Sequence, residues 1–177
     1  IEQLASFRAM PGMIVLRPAD ANEVAEAWRV IMRIRDCPVS LVLTRQALPT
    51  LDRTKYAPAS GVAHGAYVLA DAPDARPDVL LLATGSEVSL CISAYEQLTT
   101  EGIKARVVSM PSWELSENEP REYRDQVLPP GITARVAVEE ASASRWERYA
   151  GRDGTIIGLD TFGLSARTKV VAQHFGF

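Results

Sequence analysis

Cysteine and histidine are nearly missing from this 177-residue chain, with two of each. Cys37 and Cys91 lie far apart in apolar surroundings, with no C-x-x-C pair and no histidine close to either, so they read as buried, reduced thiols of a reducing compartment. His64, at a predicted strand start, and His174, at the end of the last predicted helix, have no second ligand at metal spacing. No zinc site is supported, and each histidine reads as a structural or surface side chain. An excess of one charge is also lacking. The 19 basic and 22 acidic side chains give a net charge of -3, spread without a basic stripe that could follow a phosphate backbone, which argues against nucleic acid as a partner. No apolar run approaches the ~20 residues that cross a bilayer, and no charged segment leading into an apolar one opens the chain. No membrane association is therefore expected. Missing too are a G-x-S-x-G elbow, a Walker loop and a G-x-G-x-x-G turn, which removes the common nucleophile and phosphate-loop chemistries.

What is present is a chain 47% hydrophobic, long enough to bury a core and to hold one domain or one domain with a remnant of another. It opens on Ile1-Glu-Gln-Leu without an initiator Met and already in a helix-like pattern, as expected of a piece cut from something longer, with an upstream targeting segment left open. A helical stub from Ile1 to Ala9 is followed by a strand at Met13 to Leu16, a helix at Asn22 to Arg35 and a strand at Val39 to Leu43, a βαβ unit. In the helix, Val24, Ala27, Trp28, Ile31 and Ile34 fall on one stripe, leaving Glu23, Glu26, Arg29 and Arg33 in water. Asp20 or Asn22 can cap its start.

Periodicity stops between Ala47 and Ala63, where Pro49, Asp52, Pro58, Ser60 and Gly61 mark a linker or boundary. Beyond it the pattern predicts strands at Ala66 to Leu69, Asp78 to Ala83, Lys104 to Ser109, Thr133 to Val138 and Thr155 to Gly158. Helices are predicted over 86–101, over Trp146 to Ala150 and over Ser165 to His174, with an irregular helical stretch from Ser112 to Gln126 and a break at Ala141 to Ser144. The alternation points to a three-layer α/β domain.

Four features carry possible chemistry. Thr84-Gly85-Ser86-Glu87 turns a buried strand into a helix. It reads either as helix amides holding an anion or as a capping box in which Glu87 bonds back, and a single glycine favours the cap. Glu139 and Glu140 end a strand and could line a crevice at the carboxyl edge of an open sheet; with no third ligand for a cation, they read as solvated or interface carboxylates. Trp113 and Trp146 read as interface or core-rim rings. Arg45 follows the strand Val39 to Leu43, at the edge where α/β proteins bind ligands, and a guanidinium there suits a bidentate hold on a phosphate.

Leu43-Thr-Arg-Gln-Ala-Leu-Pro49 and Ala83-Thr-Gly-Ser-Glu-Val88, together with the stretch Gln3 to Asp20 that ends Arg-Pro-Ala-Asp, Gly65 to Leu69, Val107 to Pro111, Arg135 to Glu139 and Thr161 to Gly163, resemble transketolases in order and spacing over the whole chain. The resemblance implies a fold in two parts. Residues 1–63 would be the C-terminal remnant of a pyrimidine-binding domain and its linker, a βαβ remnant. Residues 64–177 would be a three-layer α/β/α C-terminal domain with a mixed, mostly parallel sheet of about five strands and one antiparallel edge.

It also implies transfer of a two-carbon ketol unit from a ketose phosphate to an aldose phosphate on thiamine diphosphate, with Mg2+ bridging the diphosphate. The implied protein is a cytoplasmic homodimer serving the oxidative or the reductive (Calvin cycle) pentose phosphate route. By the same resemblance Arg45 binds the substrate phosphate, and Asp20 is a turn or helix cap. The cofactor and metal motifs of the family fall before Ile1, so this stretch is expected to be inactive alone, with no catalytic, cofactor-binding or metal-binding residue of its own. The rival readings are another thiamine-diphosphate enzyme, such as a deoxyxylulose-phosphate synthase or a 2-oxo-acid dehydrogenase, and a non-catalytic dimerisation or ligand-sensing module.

Overall fold

Asp20 ends an extended approach and turns the chain into a helix. Its carboxylate accepts the Glu23 amide at 2.8 Å, the capping bond expected from the sequence. This detail comes from a computed structural model, which describes residues 2–161, 163–164 and 166–176. Before that cap lie α1 (Glu2–Ala9) and β1 (Ile14–Leu16); after it come α2 (Ala21–Ile31) and β2 (Val39–Leu41). The two strands pair in parallel, Ile14 beside Val39, and the Val42 amide extends the ladder to Leu16 O at 2.8 Å. This is the expected βαβ unit.

The orientation of α2 differs from the predicted stripe. Trp28 is 52% exposed, whereas Glu23, expected in water, is fully buried. The helix turns this carboxylate toward donors of other elements: Glu23 accepts from the Ala19 amide at 2.8 Å, the Tyr67 hydroxyl at 2.7 Å and the Ser109 hydroxyl at 2.6 Å. A buried carboxylate is tolerated when its lone pairs are filled in this way.

The linker stretch contains a 3-10 helix, Ala59–His64, so His64 ends that helix rather than starting a strand. Next come β3 (Tyr67–Ala70), β4 (Val79–Ala83), α3 (Glu87–Thr100), β5 (Ala105–Ser109), α4 (Trp113–Asn118) and α5 (Arg121–Val127). The chain then continues through β6 (Arg135–Ser142), α6 (Glu147–Ala150), β7 (Thr155–Leu159) and α7 (Thr168–Phe175). The expected helix start at Ser165 lies outside the described residues, as does Ile1. Strands β3 to β7 form one sheet in the order β3-β5-β4-β6-β7, with β3 antiparallel at the edge and the remainder parallel. This is the mixed five-stranded α/β sheet implied by the resemblance.

Side-chain alternation along β4 divides the core between two faces. Leu81 and Ala83 join Val88, Cys91 and Ile92 of α3 on one side. Leu80 and Leu82 join Trp113, Val127, Trp146 and Tyr149 under α4, α5 and α6 on the other. Trp146 is therefore a fully buried centre of that layer, not a rim residue. The predicted break at Ala141 is displaced: β6 stays extended to Ser142, with a register shift against β7 between Val138 and Ser142. Alternation along β6 puts Glu139 on the face of Ala137 and Trp146, so its side chain points into the interior.

Glu23 carries a pH prediction. Burial pushes its carboxyl above its ordinary value of 4.5, against the downward pull of the Ser109, Tyr67 and Ala19 bonds. Between that value and the raised folded one, the folded state keeps a proton that the unfolded chain has lost, so stability falls as pH rises through the window. Glu23→Gln retains an oxygen for the Ala19 amide and an amide that can donate to Tyr67 and Ser109, but does not titrate. The variant is expected to gain on the wild type as pH rises from about 4.5. Urea midpoints over a pH series check this, and parallel profiles would count against it.

Candidate functional site

Where β2 ends, the chain bends through Leu43 to Gln46, with the Gln46 amide donating to the Thr44 hydroxyl at 3.3 Å and the two side chains also in contact. Arg45, at the apex, is exposed, and its guanidinium makes no hydrogen bond or ion pair among the described residues. A cavity of ≈ 400 Å³ opens beside it, lined by Arg17, Thr44, Arg45, Gln46, Ser86 and Glu140 among others. The β2 bend thus faces the turn after β4, and two of the segments singled out in the sequence share one cavity.

Arg17 joins the two sheets. Its amide donates to Pro111 O at 2.8 Å, its carbonyl accepts the Gly85 amide at 3.0 Å, and its guanidinium donates to the carbonyl and hydroxyl oxygens of Thr84, each at 2.9 Å. It also pairs with Glu87, and with Glu139 at 2.6 Å. Burial works against this charge, but Glu87 and Glu139 outweigh it and hold the Arg17 pKa above the ordinary arginine value. Gly85 is required here: at φ +56° its added Cβ would lie 2.7 Å from the Arg17 guanidinium carbon.

This arrangement replaces the expected capping box. Ser86 precedes α3 in a helical conformation without a side-chain cap bond, Thr84 donates to Glu139 at 3.0 Å, and the fully buried Glu87 turns to Arg17 instead of back to the helix amides. A buried guanidinium left unpaired costs more than an uncapped amide, so the ion pair prevails.

Glu139 is likewise not solvated, and β6 continues past it to Ser142. It is fully buried and accepts from Arg8 at 2.6 Å, Arg17 at 2.6 Å, Thr84 at 3.0 Å and the Trp146 indole at 2.9 Å. Arg8, which the sequence did not single out, also lies over the Trp113 ring at 3.7 Å. Its only local signal was an arginine on a helical stub, and its partner is 131 positions away. Glu140 is half-buried and lines the cavity. Burial and Glu87 push its carboxyl pKa up, while Arg17 pulls it down.

The remaining candidates lie outside this cavity. His64 pairs with Glu119 at 2.9 Å and lies 4.7 Å from the Tyr123 ring. His174 packs edge-on against Phe175. Burial, with Glu87 adding to it, pushes the Cys91 thiol up to about 12, which leaves it protonated and inert, while Cys37 is only half-buried. Among the described residues no group of three or more His, Cys, Asp or Glu is placed to hold a metal ion, and no helix is long and apolar enough to cross a membrane.

The cavity therefore offers one uncommitted guanidinium, hydroxyl and amide groups, and one carboxyl of raised proton affinity. It is equipped to bind an anionic, hydroxyl-bearing group. In class this is an α/β protein with a polar crevice at the carboxyl ends of parallel strands.

Comparison with known proteins makes the family specific. The family model described as "Transketolase-like TK C-terminal domain" matches residues 65–177, and "Transketolase, pyrimidine binding domain" matches residues 1–50. The chain belongs to the transketolase family. It is 51% identical over 177 residues to transketolase of Geobacillus stearothermophilus, covering 100% of this chain and 26% of the relative. To the Mycobacterium tuberculosis H37Rv enzyme it is 50% identical over 183 residues, with the same coverage of 100% and 26%. Among solved structures, transketolase from Leishmania mexicana superposes with a TM-score of 0.90 at 38% identity, covering 99% of this chain and 25% of that one. A Pichia stipitis transketolase in complex with sedoheptulose-7-phosphate superposes with a TM-score of 0.88 at 36% identity, covering 99% and 25%. The chain thus spans about a quarter of the length of these relatives.

Proposed function

We propose that these residues form part of a transketolase that moves a two-carbon ketol unit from a ketose phosphate to an aldose phosphate, and that Arg45 holds the substrate phosphate. One observation carries the reading. The Arg45 guanidinium stands at the end of a parallel strand, unpaired among the described residues, on a ≈ 400 Å³ cavity with hydroxyl and amide groups around it. An arginine fork suits a phosphate oxygen pair, and the surrounding polar groups suit a polyol.

The reading includes residues 1–63 as the end of the pyrimidine-binding domain with its linker, and residues 64–177 as the C-terminal domain. Two separate sheets and the two matched ranges support that division. It also includes a cytoplasmic homodimer in a pentose phosphate route. Thiamine diphosphate with Mg2+ would supply the electron sink for the carbanion. The described residues lining this cavity do not fit that group: they include one carboxylate, Glu140, and one glycine, Gly85, and no metal cluster occurs among the described residues. The cofactor is accordingly assigned to other parts of the whole enzyme, and the role of this chain is to bind and orient.

In the whole enzyme, Arg45→Ala is expected to raise KM about ten- to a hundredfold for phosphorylated substrates, the loss of one or two charge-assisted bonds, and to change KM little for unphosphorylated ones. Steady-state kinetics on paired substrates test this. An equal effect on both would overturn the phosphate role.

A further inference from the structure

The larger cavity on this chain lies elsewhere. Between α4, α5 and α6, on the sheet face away from α3, a cleft of ≈ 570 Å³ shares no lining residue with the Arg45 cavity. Its size falls within the range of small-ligand sites. Arg121 and Arg124 stand three residues apart on α5 and so share a face, Arg148 enters from α6, and the Tyr149 ring supplies an apolar wall.

Two carboxylates also line the cleft, and each is already engaged. Glu117 accepts from the Tyr149 hydroxyl at 2.7 Å and pairs with Arg148. Burial opposes its charge, but the Tyr149 and Arg148 bonds outweigh this and hold its pKa below the ordinary value, so it remains an anion. Asp125 takes Arg121 Nε at 3.3 Å within the same helix. Three guanidinium groups face two carboxylates. The surplus charge is on Arg124, whose side chain makes no hydrogen bond or ion pair among the described residues.

We propose that this cleft is a second anion site that takes a small phosphate ester or a diphosphate, held by Arg124 with Arg121 as the neighbouring donor and separate from the cavity at Arg45. Arg121 can swing to the ligand because its bond to Asp125 is long and solvent-exposed, and such pairs contribute little. Arginine, with its planar fork, is suited to phosphate oxygens.

The test uses the whole enzyme, saturated with its cofactor and carrying Arg45→Ala, so that the free guanidinium of the first cavity is removed. It is titrated calorimetrically at low ionic strength with inorganic pyrophosphate and with glycerol 2-phosphate, with glycerol as the uncharged control. Saturable binding of the anions and none of glycerol is expected. Arg124→Gln is expected to weaken it about tenfold or more, the loss of a charge-assisted bond. Arg121→Gln should act in the same direction but less, and added KCl should weaken binding throughout. Arg121 and Arg124 are both exposed, so folding does not depend on either, and the second variant keeps the test intact if the first folds poorly. Absence of saturable anion binding, or unchanged affinity in both variants, would overturn the proposal.

Discussion

Replacing Glu139 by alanine is expected to destabilise the fold by about 3–5 kcal/mol, the range for breaking a buried ion pair from one side. Glu139 is fully buried and gathers donors from α1 (Arg8), from the segment after β1 (Arg17), from the β4 end (Thr84) and from the residue preceding α6 (Trp146). Alanine would leave Arg8 without its carboxylate at 7% residue exposure, and Arg17 with only Glu87. The loss exceeds any attraction removed, because two guanidinium groups would remain desolvated with too few acceptors. Glu139→Gln keeps the volume and one acceptor oxygen and should cost less. Urea midpoints with unchanged m-values measure both variants. A loss below about 1 kcal/mol for alanine, the scale of an exposed pair, would show that the cluster is not a structural centre.

Trp146→Ala is expected to cost about 3–5 kcal/mol through the cavity it leaves. The ring is fully buried, meets Trp113 edge-on with centroids 5.0 Å apart, and lies 6.1 Å from the Tyr149 ring. Its indole N–H also donates to Glu139 at 2.9 Å. Trp146→Phe separates the two contributions: most of the packing remains and the donor is lost, for about 1 kcal/mol. Combining Trp146→Phe with Glu139→Ala should give less than the sum of the two, because both remove the same bond. Strict additivity would show that this hydrogen bond carries no stability, and a cost for alanine under about 1.5 kcal/mol would show that the layer closes over the gap.

Much of the architecture is legible in the residues. The continuous apolar run ending at Ala83 is a strand buried on both sides, and Val88 and Ile92 set α3 against one face of the sheet. Asp20 caps α2 as its position suggests, and Arg45 stands where a strand end meets a cavity. The errors share a chemistry. Glu23 is expected in water, Glu87 in a capping box and Glu139 in solvent or at an interface, yet all three are fully buried. Helical and strand periodicity assigns a face from the element's own apolar residues, and on that rule a carboxylate belongs outside. It fails when donors arrive from distant segments: Ser109 is 86 positions from Glu23, Arg17 is 70 from Glu87, and Arg8 is 131 from Glu139.

The sequence by itself determined the order of strands and helices, the cap at Asp20 and the family to which the chain belongs, because these depend on residues close together or on a shared linear pattern. The tertiary structure alone decided which carboxylates are buried, that Arg17 and Arg8 bind the β1–β2 segment to the five-stranded sheet, and which arginines stay uncommitted at Arg45 and Arg124. A charge is buried or exposed according to the balance between desolvation and its partners, and those partners are fixed only when the chain has folded.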